Sequence, residues 1–168
     1  GGFFLEASGY ERPQWYETNA GLLGRYQSPP RDEWSSKFWS PIIGAEACAV
    51  REGVGLFDIT TLKRIEVTGS GSLDFLEGLT TGNLKKKPGS ITYCLMLNDK
   101  AGIMSDITVM RRGNQDFFIG VNSNTDINYL KQMAPDTVHV KDITAGTVGL
   151  GLFGPMATVT LRLAKRHK

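Results

Sequence analysis

Asp106 stands in the middle of an alternating apolar stretch, Ile103-Met104-Ser105-Asp106-Ile107-Thr108-Val109-Met110, where a carboxylate invites an explanation. Asp is depleted in strands because a short charged side chain fits a pleated, half-buried surface poorly. One reading is chemical: a carboxylate fixed on a strand can accept a proton or steady a developing positive charge. The other is plain alternation, with Asp106 facing water between Met104 and Thr108 while Ile103, Ile107 and Val109 hold the opposite face.

The remaining reactive side chains do not assemble a competing site. Gly69-Ser-Gly71-Ser-Leu-Asp74 follows a strand pattern and opens a helix, as a dinucleotide fingerprint would, but Asp74 puts a negative charge where a pyrophosphate must approach. It reads as a helix-starting turn. Lys85-Lys86-Lys87 reads as a solvated loop. His139 has no second histidine within ligand reach by sequence, and His167 lies in a basic terminal run, so no histidine catalyst or metal site is expected. Cys48 and Cys94 lie far apart without C-x-x-C spacing and are expected to be free thiols in a reducing cytoplasm. No G-x-S-x-G nucleophile elbow occurs.

The elements that must position Asp106 follow from periodicity and punctuation. Ser40 before Pro41, with Gly53 after Arg51-Glu52, marks a helix over Pro41 to Glu52. Leu62 to Thr68 alternates as a half-exposed strand, and Leu73, Leu76 and Leu79 recur at helical spacing. Pro88-Gly89 turns the chain into strands over Ile91 to Leu97, Ile103 to Met110 and Gln115 to Val121. Asn122-Ser-Asn-Thr125 can cap a short helix to about Met133, followed by strands near Thr137 to Ile143 and Thr147 to Phe153. Short hairpins with a few crossing helices predict an α+β fold, an antiparallel meander sheet with short helices across it. Residues 1–40, dense in tryptophan, tyrosine and proline, read as an arm that wraps a neighbouring surface.

Size and charge limit the function classes. A chain of 168 residues, 40% hydrophobic and 21% charged, can bury one real core. A net charge of +2 with both signs interleaved gives no basic stripe for phosphates, so nucleic acid is not an expected partner. No apolar run approaches the ~20 residues of a membrane helix, and the first residues lack a charged and then apolar leader. A cytoplasmic protein is the expectation.

Ala101-Gly102-Ile103-Met104-Ser105-Asp106-Ile107-Thr108-Val109 resembles the Asp-bearing hairpin of the tetrahydrofolate-binding aminomethyltransferase family, which includes the glycine cleavage T-protein and the folate domains of dimethylglycine and sarcosine oxidases. The likeness extends to Phe3-Phe4-Leu5-Glu6-Ala-Ser-Gly-Tyr10-Glu11-Arg12-Pro13-Gln14-Trp15-Tyr16, similar to the segment where a flavin domain hands over to the folate domain. Leu56-Phe57-Asp58-Ile59-Thr60, Leu62-Lys63-Arg64, Leu79-Thr80-Thr81, Pro88-Gly89 and Gly149-Leu150-Gly151-Leu152-Phe153-Gly154-Pro155-Met156-Ala157 are similar to successive elements of the same family. By this reading the likeness runs from about 3 to 157, and 158–168 is a basic tail. The domain organisation expected is a 1–40 arm, a 41–157 partial folate-binding domain and that tail.

The resemblance implies transfer of a one-carbon unit from an amine or iminium to a tetrahydrofolate nitrogen, with Asp106 as the catalytic carboxylate. Proton transfer to such a group contributes about 10²–10⁴ in rate when the geometry is right. It further implies that Tyr93, Asp106 and Asn122 contact the folate. The family's Gly-Glu-x-Gly motif, which carries a second pterin-binding glutamate, has no match here, nor has the flavin fingerprint. The expected partners are therefore a folate, a chain bearing the rest of its site and an FAD domain, or a second copy of this chain. Three alternatives stay open: part of a demethylating oxidase, dehydrogenase or aminomethyltransferase, a non-catalytic folate binder, and an inactive remnant.

Strand register gives an independent expectation. A two-residue loop at Asp99-Lys100 sets Tyr93 opposite Asp106, whereas a three-residue loop sets Cys94 there. A slip of one residue moves every side chain to the other face.

Overall fold

The computed structural model describes residues 1–7 and 10–166. They form two compact units, one of Ile59–Gly149 and one of Gly1–Asp58 with Leu150–Lys168. His167 lies outside the described residues.

The Ile59–Gly149 unit is built on a five-stranded antiparallel sheet of β4 (Lys63–Thr68), β5 (Ile91–Leu97), β6 (Ile103–Arg111), β7 (Asp116–Val121) and β8 (His139–Asp142). Its order is β5-β6-β7-β4-β8, so the expected meander forms one side and β4 inserts between β7 and the edge strand. Alternation sends Cys94, Met96, Ile107, Val109, Phe117, Ile119, Ile65 and Val67 to one face. Two helices cover that face, α2 (Ser72–Leu79) through Leu76 and α3 (Asn124–Met133) through Ile127 and Leu130. Burying each such side chain stabilises the fold by about 1.5–3 kcal/mol, which makes this cluster the dominant contribution to the unit's stability.

Turn chemistry ends each element. Gly69 has φ +108°, and a Cβ there would lie 2.2 Å from the Thr137 carbonyl oxygen, so only glycine fits where β4 hands over to α2. Ser123 caps α3 by accepting from the Asp126 N–H at 3.3 Å, while the Asp126 carboxylate accepts from the Ser123 N–H at 3.0 Å, a reciprocal capping box.

The β5–β6 register differs from expectation. The Asn98 N–H donates to the Gly102 carbonyl at 3.0 Å and closes a three-residue loop of Asp99, Lys100 and Ala101, in which Ala101 takes a left-handed φ of +59° and donates to the Asn98 carbonyl. Such a loop alone would set Cys94 opposite Asp106. A bulge then adds one residue on β6, because Leu97 pairs with Ile103 while Met96 pairs with Ser105. The two shifts restore the parity, and Leu95 faces Asp106 while Tyr93 faces Thr108. The bulge also turns Ile103 outward, 68% exposed, although the sequence placed it on the core face with Ile107 and Val109, and Ser105 is the buried residue there.

In the other unit, β1 (Gly2–Ala7) and β2 (Tyr10–Tyr16) pair antiparallel within the segment the sequence read as a wrapping arm. Phe3 and Trp15 are cross-strand partners, and their rings stack at 4.2 Å. The helix α1 (Pro41–Glu52) has the predicted bounds, with the Ser40 hydroxyl accepting from the Ile42 N–H. β3 (Gly55–Asp58) pairs with β9 (Leu150–Phe153). A helix, α4 (Ala157–Arg166), covers most of the segment assigned by sequence to a basic tail from 158 onward.

Candidate functional site

Asp106, Tyr93 and Asn122 come together on the sheet face opposite the core. Tyr93 lies on β5, diagonal to Asp106 on β6, and its hydroxyl donates to Asp106 Oδ2 at 3.1 Å. Thr108 pairs with Gly120 across β6 and β7, so the same register carried two residues further sets Asn122 opposite Asp106. Asn122 stands just past the end of β7, where its side chain is free of the ladder. Its Nδ2 donates to Asp106 Oδ1 at 3.0 Å and to the Asp106 carbonyl at 2.8 Å.

Both carboxylate oxygens of Asp106 are thus held, one from each neighbouring strand, yet the residue is exposed. Each oxygen keeps a further acceptor position for an incoming donor. The hydrogen bond to Asp106, followed by partial desolvation, raises the Tyr93 phenol above its ordinary value, so it remains a donor at neutral pH.

The surrounding face is apolar. Ile91, Tyr93 and Ile103 are each more than 60% exposed, and Met104 is 38% exposed. Exposed apolar side chains beside a fixed carboxylate can take a flat, partly apolar molecule with an N–H group at its edge. A separate open groove of about 350 Å³ runs past Thr80, Leu97, Asn98 and Tyr129, and no member of the Asp106 cluster lines it. Charge and hydrogen bonding make the Asp106 cluster the candidate site.

Sequence reasoning passed over the layer beneath. Ser105 is buried on the core side of β6, and its hydroxyl donates to Asp126 Oδ2 at 3.0 Å while lying 3.1 Å from Asn122 Nδ2. Asp126, also buried, accepts from the Asn122 and Ser123 backbone N–H groups at 2.9 and 3.0 Å. Two signals were available: a serine in the core-facing alternation, and an acid three residues after a helix-capping serine.

The other candidates behave as ordinary structure. Burial raises the Cys94 thiol, and both cysteines are free. His139 is exposed on the edge strand β8. Lys85 pairs with Glu77 at 3.6 Å, and Lys86 donates to the Thr92 hydroxyl. Among the described residues no group of three His, Cys, Asp or Glu is placed to hold a metal. No helix among them is long and apolar enough to cross a membrane.

An α+β domain whose β5–β6 hairpin presents a hydrogen-bonded aspartate defines the class, and the chain belongs to the GCVT N-terminal domain family, matched over residues 1–167. That match continues past 157, where the motif likeness stopped. Among curated relatives, the chain is 36% identical over 133 residues to the aminomethyltransferase of Geobacillus thermodenitrificans, covering 77% of this chain and 36% of the relative. It is 34% identical over 160 residues to the 4-methylaminobutanoate oxidase (formaldehyde-forming) of Paenarthrobacter nicotinovorans, covering 92% of this chain and 19% of that one. The crystal structure of glycine cleavage system aminomethyltransferase T from Bartonella henselae superposes with a TM-score of 0.77 at 26% identity, over 98% of this chain and 40% of that chain. The chain therefore spans well under half the length of these relatives.

Proposed function

We propose that this chain supplies the aspartate-bearing part of a one-carbon transfer site that holds a tetrahydrofolate. The observation that carries the reading is the exposed Asp106 carboxylate, fixed by Tyr93 and Asn122 on an apolar sheet face. The donor set fits a reduced folate. Asp106 offers acceptor oxygens to amine N–H groups, and Tyr93 with Ile91 and Ile103 offers aromatic and aliphatic surface to a ring.

When bound, tetrahydrofolate supplies a nucleophilic amine nitrogen as acceptor of the one-carbon unit. Asp106 would take the proton lost from that nitrogen, a contribution of about 10²–10⁴ in rate. Its negative charge would also favour a cationic carbon nearby. Tyr93 and Asn122 would hold the carboxylate in one rotamer, so that no reorganisation is needed during reaction.

The family and the relatives named above support an amine as donor of the one-carbon unit. Flavin chemistry, where the whole protein uses it, would belong to another domain or a partner chain. The segment 1–40 would then pack beside that domain.

A calorimetric titration of this chain with 5-formyl-tetrahydrofolate tests the reading. The expected result is saturable binding in the micromolar range, about −8 kcal/mol, weakened in both Asp106→Asn and Tyr93→Ala. Binding indifferent to both substitutions, or no binding by the folded chain, overturns it.

A further inference from the structure

We infer that Ser105, tethered by the buried carboxylate of Asp126, is a positioning residue that sets the orientation of the Asn122 amide and through it the rotamer of Asp106. What Asp106 then does rests on the function proposed above; the positioning does not.

Hydrogen-bond direction carries the argument. A carboxylate can only accept, so the proton between Ser105 Oγ and Asp126 Oδ2 belongs to Ser105. A hydroxyl has one proton, and Ser105 must therefore turn a lone pair toward Asn122. Asn122 answers with Nδ2, its donor end. The amide reversed would set its oxygen against Ser105 Oγ, the Asp106 carbonyl and Asp106 Oδ1, three acceptors now within 3.1 Å of Nδ2. Asp126 also accepts the Asn122 backbone N–H, so one buried carboxylate fixes both ends of the asparagine.

The burial of Ser105 supports this role. It occupies a core-facing position in a strand whose next core residues are Ile107 and Val109, where a hydroxyl costs stability unless its bonds are made. The capping box accounts for the contact between Asp126 and Ser123, but not for a serine on β6 reaching the same oxygen. A chain of contacts running from Asp126 through Ser105 and Asn122 to the exposed Asp106 links the α3 terminus to the site.

Nitrogen–proton NMR of the side-chain amides in the whole chain tests the inference without any ligand. Both Asn122 NH₂ protons are expected to be resolved and protected from solvent. In Ser105→Ala their exchange should accelerate by about tenfold, the loss expected for one hydrogen bond. Ser105→Thr, which keeps the hydroxyl, should restore protection, whereas Ser105→Cys, which keeps the shape with a weaker donor and acceptor, should not. Dispersion of the backbone amides reports folding in each variant. Unchanged Asn122 side-chain exchange in folded Ser105→Ala and Ser105→Cys overturns the inference.

A second arm measures 5-formyl-tetrahydrofolate affinity. Ser105→Ala should weaken it about tenfold in the native background and have no added effect with Asn122→Ala already present. Equal, additive losses in both backgrounds overturn the route through Asn122. A wild-type chain that binds no folate overturns the proposed function, and the amide exchange still decides the positioning.

Discussion

Tyr93 reaches Asp106 on the diagonal: its directly opposed neighbour is Thr108, yet its hydroxyl donates to the carboxylate at 3.1 Å. Diagonal neighbours on one face lie within reach of an aromatic side chain, so a phenol two residues off register still serves. Because Tyr93 is 66% exposed, Tyr93→Phe should leave the thermal midpoint essentially unchanged. Folate affinity should fall about fivefold to tenfold, the loss expected for one solvent-exposed hydrogen bond. Thermal melts and calorimetry read the two effects; a destabilised protein with native affinity would show that the phenol serves the fold instead.

The raised Tyr93 phenol gives a pH signature. Its protonated form is favoured in the folded state, first by the hydrogen bond to Asp106 and then by desolvation. The contribution to stability is full below the ordinary tyrosine value of about 10 and is lost as pH rises through the higher folded value. Phenolate absorbance, measured as a difference against Tyr93→Phe to remove the other tyrosines, should show this midpoint fall in Asp106→Asn. A midpoint that ignores Asp106 would assign the shift to burial alone.

Local signals made much of this arrangement readable in advance. Ser40, Pro41 and Gly53 fix both ends of α1, because a cap, a missing N–H and a helix-ending glycine act on neighbouring backbone only. Alternation made β5, β6 and β7 legible, and the family resemblance singled out the three side chains that meet on their outer face. The register was not legible. It depends on Ala101 adopting a left-handed φ and on an extra residue in β6, neither of which a hydrophobic pattern records. Residues 2–16 misled for a related reason: Pro13 argues against a central strand, but β2 pairs on one side only and tolerates it. Ser105 and Asp126 drew no notice because their role is a long-range contact between a strand and a helix terminus.

Ala101 is strained where the hairpin turns. At φ +59° its Cβ crowds the backbone, a cost of about 1–2 kcal/mol that glycine does not bear. The Asn98 carboxamide oxygen accepts from the Lys100 and Gly102 N–H groups and holds the loop closed around it. Ala101→Gly should therefore stabilise the protein by about 0.5–1 kcal/mol net of the unfolded-state entropy of glycine, read as a higher denaturant midpoint with unchanged slope. A loss of stability would mean that the loop relaxes into another turn once the alanine is gone.

Arg64 makes the densest set of side-chain hydrogen bonds in the Ile59–Gly149 unit, beside the apolar cluster that dominates its stability. It is buried although the sequence placed it on the exposed side of β4, and its guanidinium donates to the carbonyls of Thr60, Leu62, Thr144 and Thr147 and to the Thr147 hydroxyl. A planar fork with five N–H groups can serve all of these at once, and an ammonium with three cannot. Arg64→Lys keeps the charge but leaves part-buried carbonyls without partners, at about 1–3 kcal/mol each where water cannot replace the bond. A net destabilisation of about 2–4 kcal/mol is expected in urea unfolding, with the loops at 60–62 and 144–147 gaining amide exchange first. A loss below about 1 kcal/mol would show that water enters and satisfies these carbonyls, so that the arginine orders the loops without holding the unit together.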